Sequence, residues 1–437
     1  MMTFLCYENI LLTHRGISMD QKGKTGSRKA IAVTALLFLA YFMSAFFKTS
    51  ANIVVPHFQR TIGLSASMAG LISGMFFFPY SFLQLATGSL SEKFGPVRIC
   101  VAGLLISVLG TALWAFASNT FMVVAGRLFQ GLGFGPIYLG TISYLSYTFD
   151  TKRFAMFSGL ATLFANIGSA FSSVPLQKLI NSTGIRPTFL STSAVVLVLA
   201  AVLFLLRPNR ASLPEMKSSM LAEYEDTMKT WLGKSPIIIG TILWAIPSGV
   251  ILSFSGLWGT EWTAMAFPEF ASSASSSLLL ICFGMMAGGL LGGTIFPNPA
   301  KRTAYIRLNS MLECLFMILL TVSLGLRINL TLSLALCFLV GTFNAMSLIQ
   351  VTAFVRELTG SVSTTMILGI FNFVASWMVL LFQWFSGILF DAFSTNMNAN
   401  SAFFASFSIL CVIFIGAALS SLGLDSRQAH RPRTVSF

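Results

Sequence analysis

The sequence predicts an all-α integral membrane protein, with twelve transmembrane helices in two six-helix halves. Three observations lead there. Hydrophobic residues fill 55% of the 437 positions and charged residues only 9%, where a soluble domain carries about a quarter charged. Apolar runs near the roughly 20 residues needed to cross a bilayer recur twelve times along the chain. The basic residues gather in short clusters at alternate ends of those runs, as membrane sidedness demands.

Residues 1–29 form a mixed leader that ends on Arg28 and Lys29. Glu8 and Asn9 break its apolar stretches, so it lacks the core of a secretory signal. Met19 opens a stretch typical of a cytoplasmic leader, and the sequence leaves open whether residues 1–18 belong to the mature chain. The N-terminal bundle, 30–206, holds apolar runs at about 30–56, 66–90, 97–117, 120–146, 154–178 and 187–206. The stretch 207–235 mixes Glu215, Glu223, Glu225 and Asp226 with five bases and carries Pro208 and Pro214. It reads as a solvated cytoplasmic tether with a short surface helix at 221–231. The C-terminal bundle, 236–423, repeats the pattern at about 236–260, 271–296, 303–325, 329–355, 361–389 and 400–423, and a tail follows at 424–437.

Counted along this topology, 21 of the 27 basic residues lie on the side of the chain ends. Arg60, Lys178, Arg186 and Arg327 lie on the other side, and Lys48 and Arg127 lie within spans. The bias puts both termini in the cytoplasm and accounts for the net charge of +13 without nucleic acid. Six scattered cysteines show neither metal spacing nor a disulfide framework. Gly131, Gly133 and Gly135 lie inside a span without the Lys-Ser/Thr of a phosphate-binding loop. With no catalytic or zinc constellation, the expectation is a non-enzyme without cofactor or metal.

Two stretches carry motifs. Gly88, Leu90, Glu92, Lys93, Gly95 and Arg98 form a short charged turn between the second and third spans. Arg127, Gln130, Gly131, Gly133 and Gly135 follow in the fourth. Together they resemble the loop 2–3 and helix 4 signatures of the major facilitator superfamily. That resemblance implies two six-helix halves built from inverted repeats, a midplane site between them, and transport by alternating access. It also implies a charge latch at the inner gate, to which Glu92, Lys93 and Arg98 belong. Glu92 replaces the usual aspartate, and Pro96 and Val97 replace two bases. The second-half counterpart, Gly292 to Arg302, keeps glycines and bases but no acid. Phe46 to Pro56, Gly63 to Ala66, Phe78 to Gln84 and Gly256 to Gly259 are further similar to bacterial carriers of the phagosomal nutrient transporter type. Those are themselves similar to organophosphate–anion antiporters, and they usually have arginine where this chain has Lys48.

Lys48 is the leading binding candidate. It lies 8 residues before Pro56, about 12 Å from the outer surface at 1.5 Å per residue. Tyr41, Ser44, Lys48 and Asn52 make one polar stripe on the first span, which favours a cavity-facing cation over a lysine snorkelling to the headgroups. Gln84, Tyr138, Asn166, Trp258, Asn344 and Asn372 are further binding candidates on cavity helices. Arg127 and Gln130 serve coupling or gating by resemblance, although a buried arginine holding backbone carbonyls is an equal reading. Glu261, which at the outer end of the seventh span can pair with a base across the mouth, and Glu313 within the ninth complete the coupling set, although a peripheral ninth span favours a local polar contact over a proton site for Glu313.

The expected function is a secondary carrier for a small anionic or zwitterionic metabolite, an organic acid or amino acid, with Lys48 as charge anchor. Aromatics of the first, fourth and seventh spans would shape its cavity. Its partners are the substrate, a coupling proton or counter-anion, and the lipid of a bacterial inner membrane, and it acts as a monomer. Two rivals stand beside it. One is a drug/proton antiporter for lipophilic compounds, although the first and fourth spans lack the acids common there. The other is a sensor or scaffold with a carrier fold.

Overall fold

The computed structural model describes residues 28–208, 228–229, 231–295, 298–359 and 361–424. The leader up to Ser27, most of the tether, Pro297 and the tail from Asp425 lie outside the described residues, as does most of the surface helix expected at 221–231.

The N-terminal half contains six spanning helices. α1 runs Arg28–Thr49 and, past a break at Ser50, Ala51–Ile62; α2 runs Ala66–Gly74 and Phe77–Phe94; α3 runs Pro96–Ala115. α4 runs Thr120–Phe134 and Ile137–Thr148, α5 Thr151–Phe171 and Val174–Thr183, and α6 Ile185–Leu206. The C-terminal half mirrors it. α7 runs Ser235–Ser253, passes through a π turn at Phe254–Trp258 and ends as Gly259–Ala266. α8 (Ser276–Thr294), α9 (Arg302–Gly325), α10 (Leu330–Thr359), α11 (Ser361–Ser394) and α12 (Ala399–Ser420) complete it. The twelve expected spans are therefore all helical. α1 continues past Pro56 to Ile62 and α7 past 260 to Ala266; α5 bends by 43° at its break; and α2, α10 and α11 run on past 90, 355 and 389 to Phe94, Thr359 and Ser394.

The connections follow local chemistry. Gly63 adopts φ 76°, the left-handed conformation that closes α1. The Ser65 hydroxyl then accepts from the Met68 N–H to start α2. Pro96 occupies the first turn of α3, where its missing N–H costs nothing. Asn119, Asp150 and Asn398 cap α4, α5 and α12 in the same way as Ser65.

The distribution of polarity is that of a membrane bundle. Val198, Leu205, Leu290 and Val412 are more than 60% exposed, whereas Arg127, Gln130, Asn309, Glu313 and Gln350 are fully buried. Without a hydrophobic drive between helices in lipid, close backbone approach supplies the packing. A Cβ on Gly133 of α4 would meet the backbone of Gly103 and Ser107 on α3, and one on Gly284 or Gly288 of α8 would meet carbonyls of α10. A similar seam joins the two halves. Cβ atoms on Gly70 of α2 and Gly387 of α11 would overlap the carbonyls of Gln383 and Ala66 respectively.

Candidate functional site: a cavity between the halves

Between the halves lies a cavity that admits water centres over about 200 Å³. α1 gives it Lys48 and Thr49, α2 Phe77 and Tyr80, and α5 Asn166 and Ser169. The opposite wall includes Trp244 and Ser248 of α7, Cys282 of α8, Asn344 of α10, and Asn372 and Ser376 of α11. Among the described lining residues, Lys48 is the only Lys, Arg, Asp or Glu. The wall therefore offers one ammonium, three side-chain amides, several hydroxyls and two polar-edged aromatics. Such a set holds one anionic group by charge and hydrogen-bonds the rest of a small polar molecule.

Lys48 sits where it does because α1 breaks just after it. At that break two carbonyls face across the half rather than along the helix, and both are held by one side chain. Arg127 of α4 donates through Nη1 to the Phe47 carbonyl at 2.7 Å and through Nη2 to the Lys48 carbonyl at 2.9 Å. Its Nε reaches the Ser73 carbonyl at 3.4 Å, and Nη1 also meets Gln130 Oε1 at 3.3 Å. The rings of Phe76 and Trp114 cover its two sides, 4.7 and 5.3 Å from the guanidinium carbon. Arg127 thus clamps the peptide that carries Lys48, and Gln130 supports the clamp.

Four of the nine binding candidates, Lys48, Asn166, Asn344 and Asn372, meet in this cavity. Tyr41 and Tyr138 stack on one another at 5.2 Å next to it, and Gln84 donates to the Gly135 carbonyl. Asn52 lies outside the cavity. Its Oδ1 accepts from the Thr260 N–H of α7 at 3.2 Å, so it closes the bundle between the halves at the end opposite the chain termini. Trp258 lies outside it as well. The π turn carries it away from the cavity, where its Nε1 donates to Ser386 Oγ at 2.8 Å and its ring stacks on Phe390. The aromatics of the wall also differ from expectation, with Phe77 and Tyr80 of α2 in place of any from α1 or α4.

The coupling candidates scatter. Lys93 covers the Phe94 ring, Arg98 lies beside Pro208, and Glu92 lies near Tyr147 of α4. Glu261 is largely buried at the far end of the bundle with Arg60 of the other half as its charge neighbour. Glu313 is fully buried against Asn344.

Sequence reasoning missed three groups. Arg302, read as lacking an acid, finds Glu357 at 2.9 Å and Gln350 Oε1 at 2.6 Å, while Gln350 Nε2 holds the Gly292 carbonyl. The acid of the second-half motif comes from the end of α10, 55 residues away, where spacing along the chain gives no signal. Asp391 of α11 accepts from the N–H groups of Ala66 and Ser67 at 3.0 and 2.8 Å, capping α2 of the opposite half. Cys282, read only as a packing residue, lies on the cavity wall near Lys48. Among the described residues, no group of three or more His, Cys, Asp or Glu gathers as a metal site would need.

Two six-helix halves around a polar cavity, closed at one end by contacts between halves, define an integral membrane helical bundle with a site between its halves. The sequence profile of the Major Facilitator Superfamily matches residues 37–383, and the chain belongs to that family. The family is one of transporters, not of enzymes. The chain is similar to a protein of Cupriavidus necator named a probable sulfoacetate transporter, 25% identical over 165 residues, which is 38% of each chain. It is also similar to the methylenomycin A resistance protein of Bacillus subtilis, 28% identical over 35% of this chain and 34% of that one. In both matches the aligned part spans little more than a third of the relative. Among solved structures it is similar to a bacterial homolog of the human lysosomal transporter Spinster in an inward-facing, unoccupied conformation. That match is 15% identical, with a TM-score of 0.74 over 92% of this chain and 98% of that one, a likeness of fold.

Proposed function

We propose that the protein moves a small organic anion across the membrane by alternating access, with Lys48 as the charge anchor. The observation that carries this reading is the lone ammonium on a wall that is otherwise neutral and rich in amides and hydroxyls. A charge in a low-dielectric cavity binds its opposite far more strongly than it would in water. Of the two metabolite classes expected from sequence, the organic acid fits better. An amino acid's ammonium group would find no carboxylate among the lining residues. The similarity to a protein named for sulfoacetate, an anion, points the same way.

Asn166, Asn344 and Asn372 then orient the cargo. The pairs Asp391 with Ala66 and Ser67, and Asn52 with Thr260, part when the far end opens. The bias of basic residues puts that end outside and both termini in the cytoplasm, and the setting implied is a bacterial inner membrane with the carrier working as a monomer. The similarity to a resistance protein favours a second reading, export of a lipophilic compound, which would not need Lys48.

A thermal-shift screen of the purified protein separates the two readings, using sulfoacetate, other organic acids, amino acids, sugar phosphates and cationic drugs. A ligand at 100 times its dissociation constant stabilises by about 2.7 kcal/mol. Stabilisation by an anion is expected in the wild type and lost in Lys48→Ala. Equal stabilisation of both proteins by cationic amphiphiles would overturn the anion reading in favour of export. Flux of the stabilising compound into sealed vesicles separates a carrier of either kind from a sensor or scaffold.

A further inference from the structure

Behind the cavity wall, in the C-terminal half, lies a group of buried polar atoms that the binding of an anion does not use. Glu313 of α9 is fully buried. Its Oε1 accepts from Asn344 Nδ2 at 2.8 Å, and Asn344 is itself part of the cavity wall. Its Oε2 has no hydrogen-bond partner. One turn back along α9, Asn309 leaves both its amide atoms unpaired and Ser310 its hydroxyl. The hydroxyl of Ser347, one turn along α10 from Asn344, lies beside the carboxyl and has no other partner. All of these residues are at most 4% exposed.

We infer that Glu313 is a proton-binding site linked to the substrate cavity through Asn344, so that an anion and a proton bind to the carrier together. This rests on the anion reading of the cavity.

Two physical arguments support the inference. A buried carboxylate without a cation is costly, and neutralisation by a proton is the usual escape. The charged groups around Glu313 are in no position to serve as that cation. On its own helix, Arg302 is committed to Glu357 and Gln350, and Arg307 to the carbonyls of Ser421, Leu422 and Leu424. Lys301 precedes that helix, Tyr305 lies in its first turn and Arg327 follows its end, each two turns or more from Glu313. α10 brings Arg356 and Glu357 at its end, and Cys337; α12 brings Cys411; the last part of α7 brings Glu261; Cys314 is the next residue on α9. None of these groups is a base beside the carboxyl.

The second argument is the chemistry of the orphan atoms. Serine hydroxyls and an asparagine amide can each donate or accept. With Oε2 ionised, Ser310, Ser347 or Asn309 Nδ2 can donate to it. With a proton on Oε2, the same hydroxyls or Asn309 Oδ1 can accept from it. A fixed structural carboxylate needs donors only, whereas this set can serve both charge states.

The linkage follows from position. An ionised Glu313 places negative charge one amide behind the wall that receives the anion. A proton taken from water onto Oε2 removes that repulsion, and it leaves to water again when the anion departs. Anion and proton therefore raise each other's affinity by the same factor.

Infrared difference spectra of the purified protein between acid and alkaline buffer test the site without any ligand. A protonated-carboxyl C=O band is expected that titrates away with rising pH, is absent in Glu313→Gln and persists in Glu261→Gln. A Glu313→Asp variant that shifts this band guards against misfolding of the Gln variant. A band unchanged in Glu313→Gln would overturn the proposal. Thermal shift with sulfoacetate then reads the linkage. Above the titration midpoint the wild type's apparent affinity should fall by up to tenfold per pH unit, the slope of one linked proton, and that of Glu313→Gln should stay flat. An equal slope in both proteins would overturn the coupling. If no anion stabilises either protein, the anion reading of the cavity and the coupling both fall, and the band still decides whether Glu313 binds a proton.

Discussion

The two halves bury opposite charges in opposite ways. In the N-terminal half, Arg127 spends its guanidinium on three carbonyls and one amide oxygen between two aromatic rings. In the C-terminal half, Glu313 makes one hydrogen bond among a set of unpaired polar atoms. A charge whose partners all lie within its own half holds structure, because no rigid-body motion between halves disturbs it. A charge left half-satisfied keeps a second state within reach. Under the proposed function, the difference separates a residue that positions the binding site from one that can respond to it.

The largest effect should come from breaking the satisfied charge. Arg127→Met leaves the Lys48 and Ser73 carbonyls unpaired and the Phe47 carbonyl with only the Ser50 hydroxyl, at about 1 kcal/mol or more for each orphan, so a loss of about 2 kcal/mol or more is expected in thermal unfolding. The break in α1 would relax with it and carry Lys48 off the cavity wall, so anion binding should fall as well. A variant as stable as the wild type that fails only in transport would mean that Arg127 acts directly in coupling. Lysine cannot substitute fully, since one ammonium lacks the planar fork that reaches carbonyls on two helices.

Much of this was legible in the sequence. The number of spans follows from run length alone, and the stripe on α1 pointed Lys48 inward because a cation is too costly to leave facing lipid. The structural alternative for Arg127 was also on the page, since an arginine at that depth needs either a task or carbonyls. What sequence could not show depends on one element meeting another. The π turn at Phe254–Trp258 defeats any helical wheel drawn through Trp258. Glu357 completes the motif around Arg302 from the far end of α10, and Asp391 caps a helix some 325 positions earlier in the chain. None of those pairings has a period or a spacing to read.

Asp391 stands between the two extremes and sharpens the comparison, because it is satisfied, but by the other half. Its two N–H donors belong to the first turn of α2, where a negative charge is favoured by about 1–2 kcal/mol in a partly buried setting. Asp391→Ala should leave each half intact and weaken only the closed far end, by a factor of about 5–30 for such an energy. The measure is the labelling of Cys282 on the cavity wall, as the sole cysteine, by an impermeant thiol reagent applied from that end. Faster labelling without a matching loss of thermal stability is the expected result. Unchanged labelling would mean that the glycine seam of Gly70 and Gly387 holds the end closed unaided.

The smallest effect on stability belongs to Glu313→Gln. If the acid is protonated in this closed form, glutamine reproduces its shape and its acceptor towards Asn344, and its amide donates where the carboxyl O–H did. Thermal unfolding near neutral pH should then shift by about 0.5 kcal/mol or less, the range of substitutions that remove no needed interaction. A loss as large as that of Arg127→Met would place an ionised, fully used carboxylate at Glu313, and the two buried charges would then be of one kind.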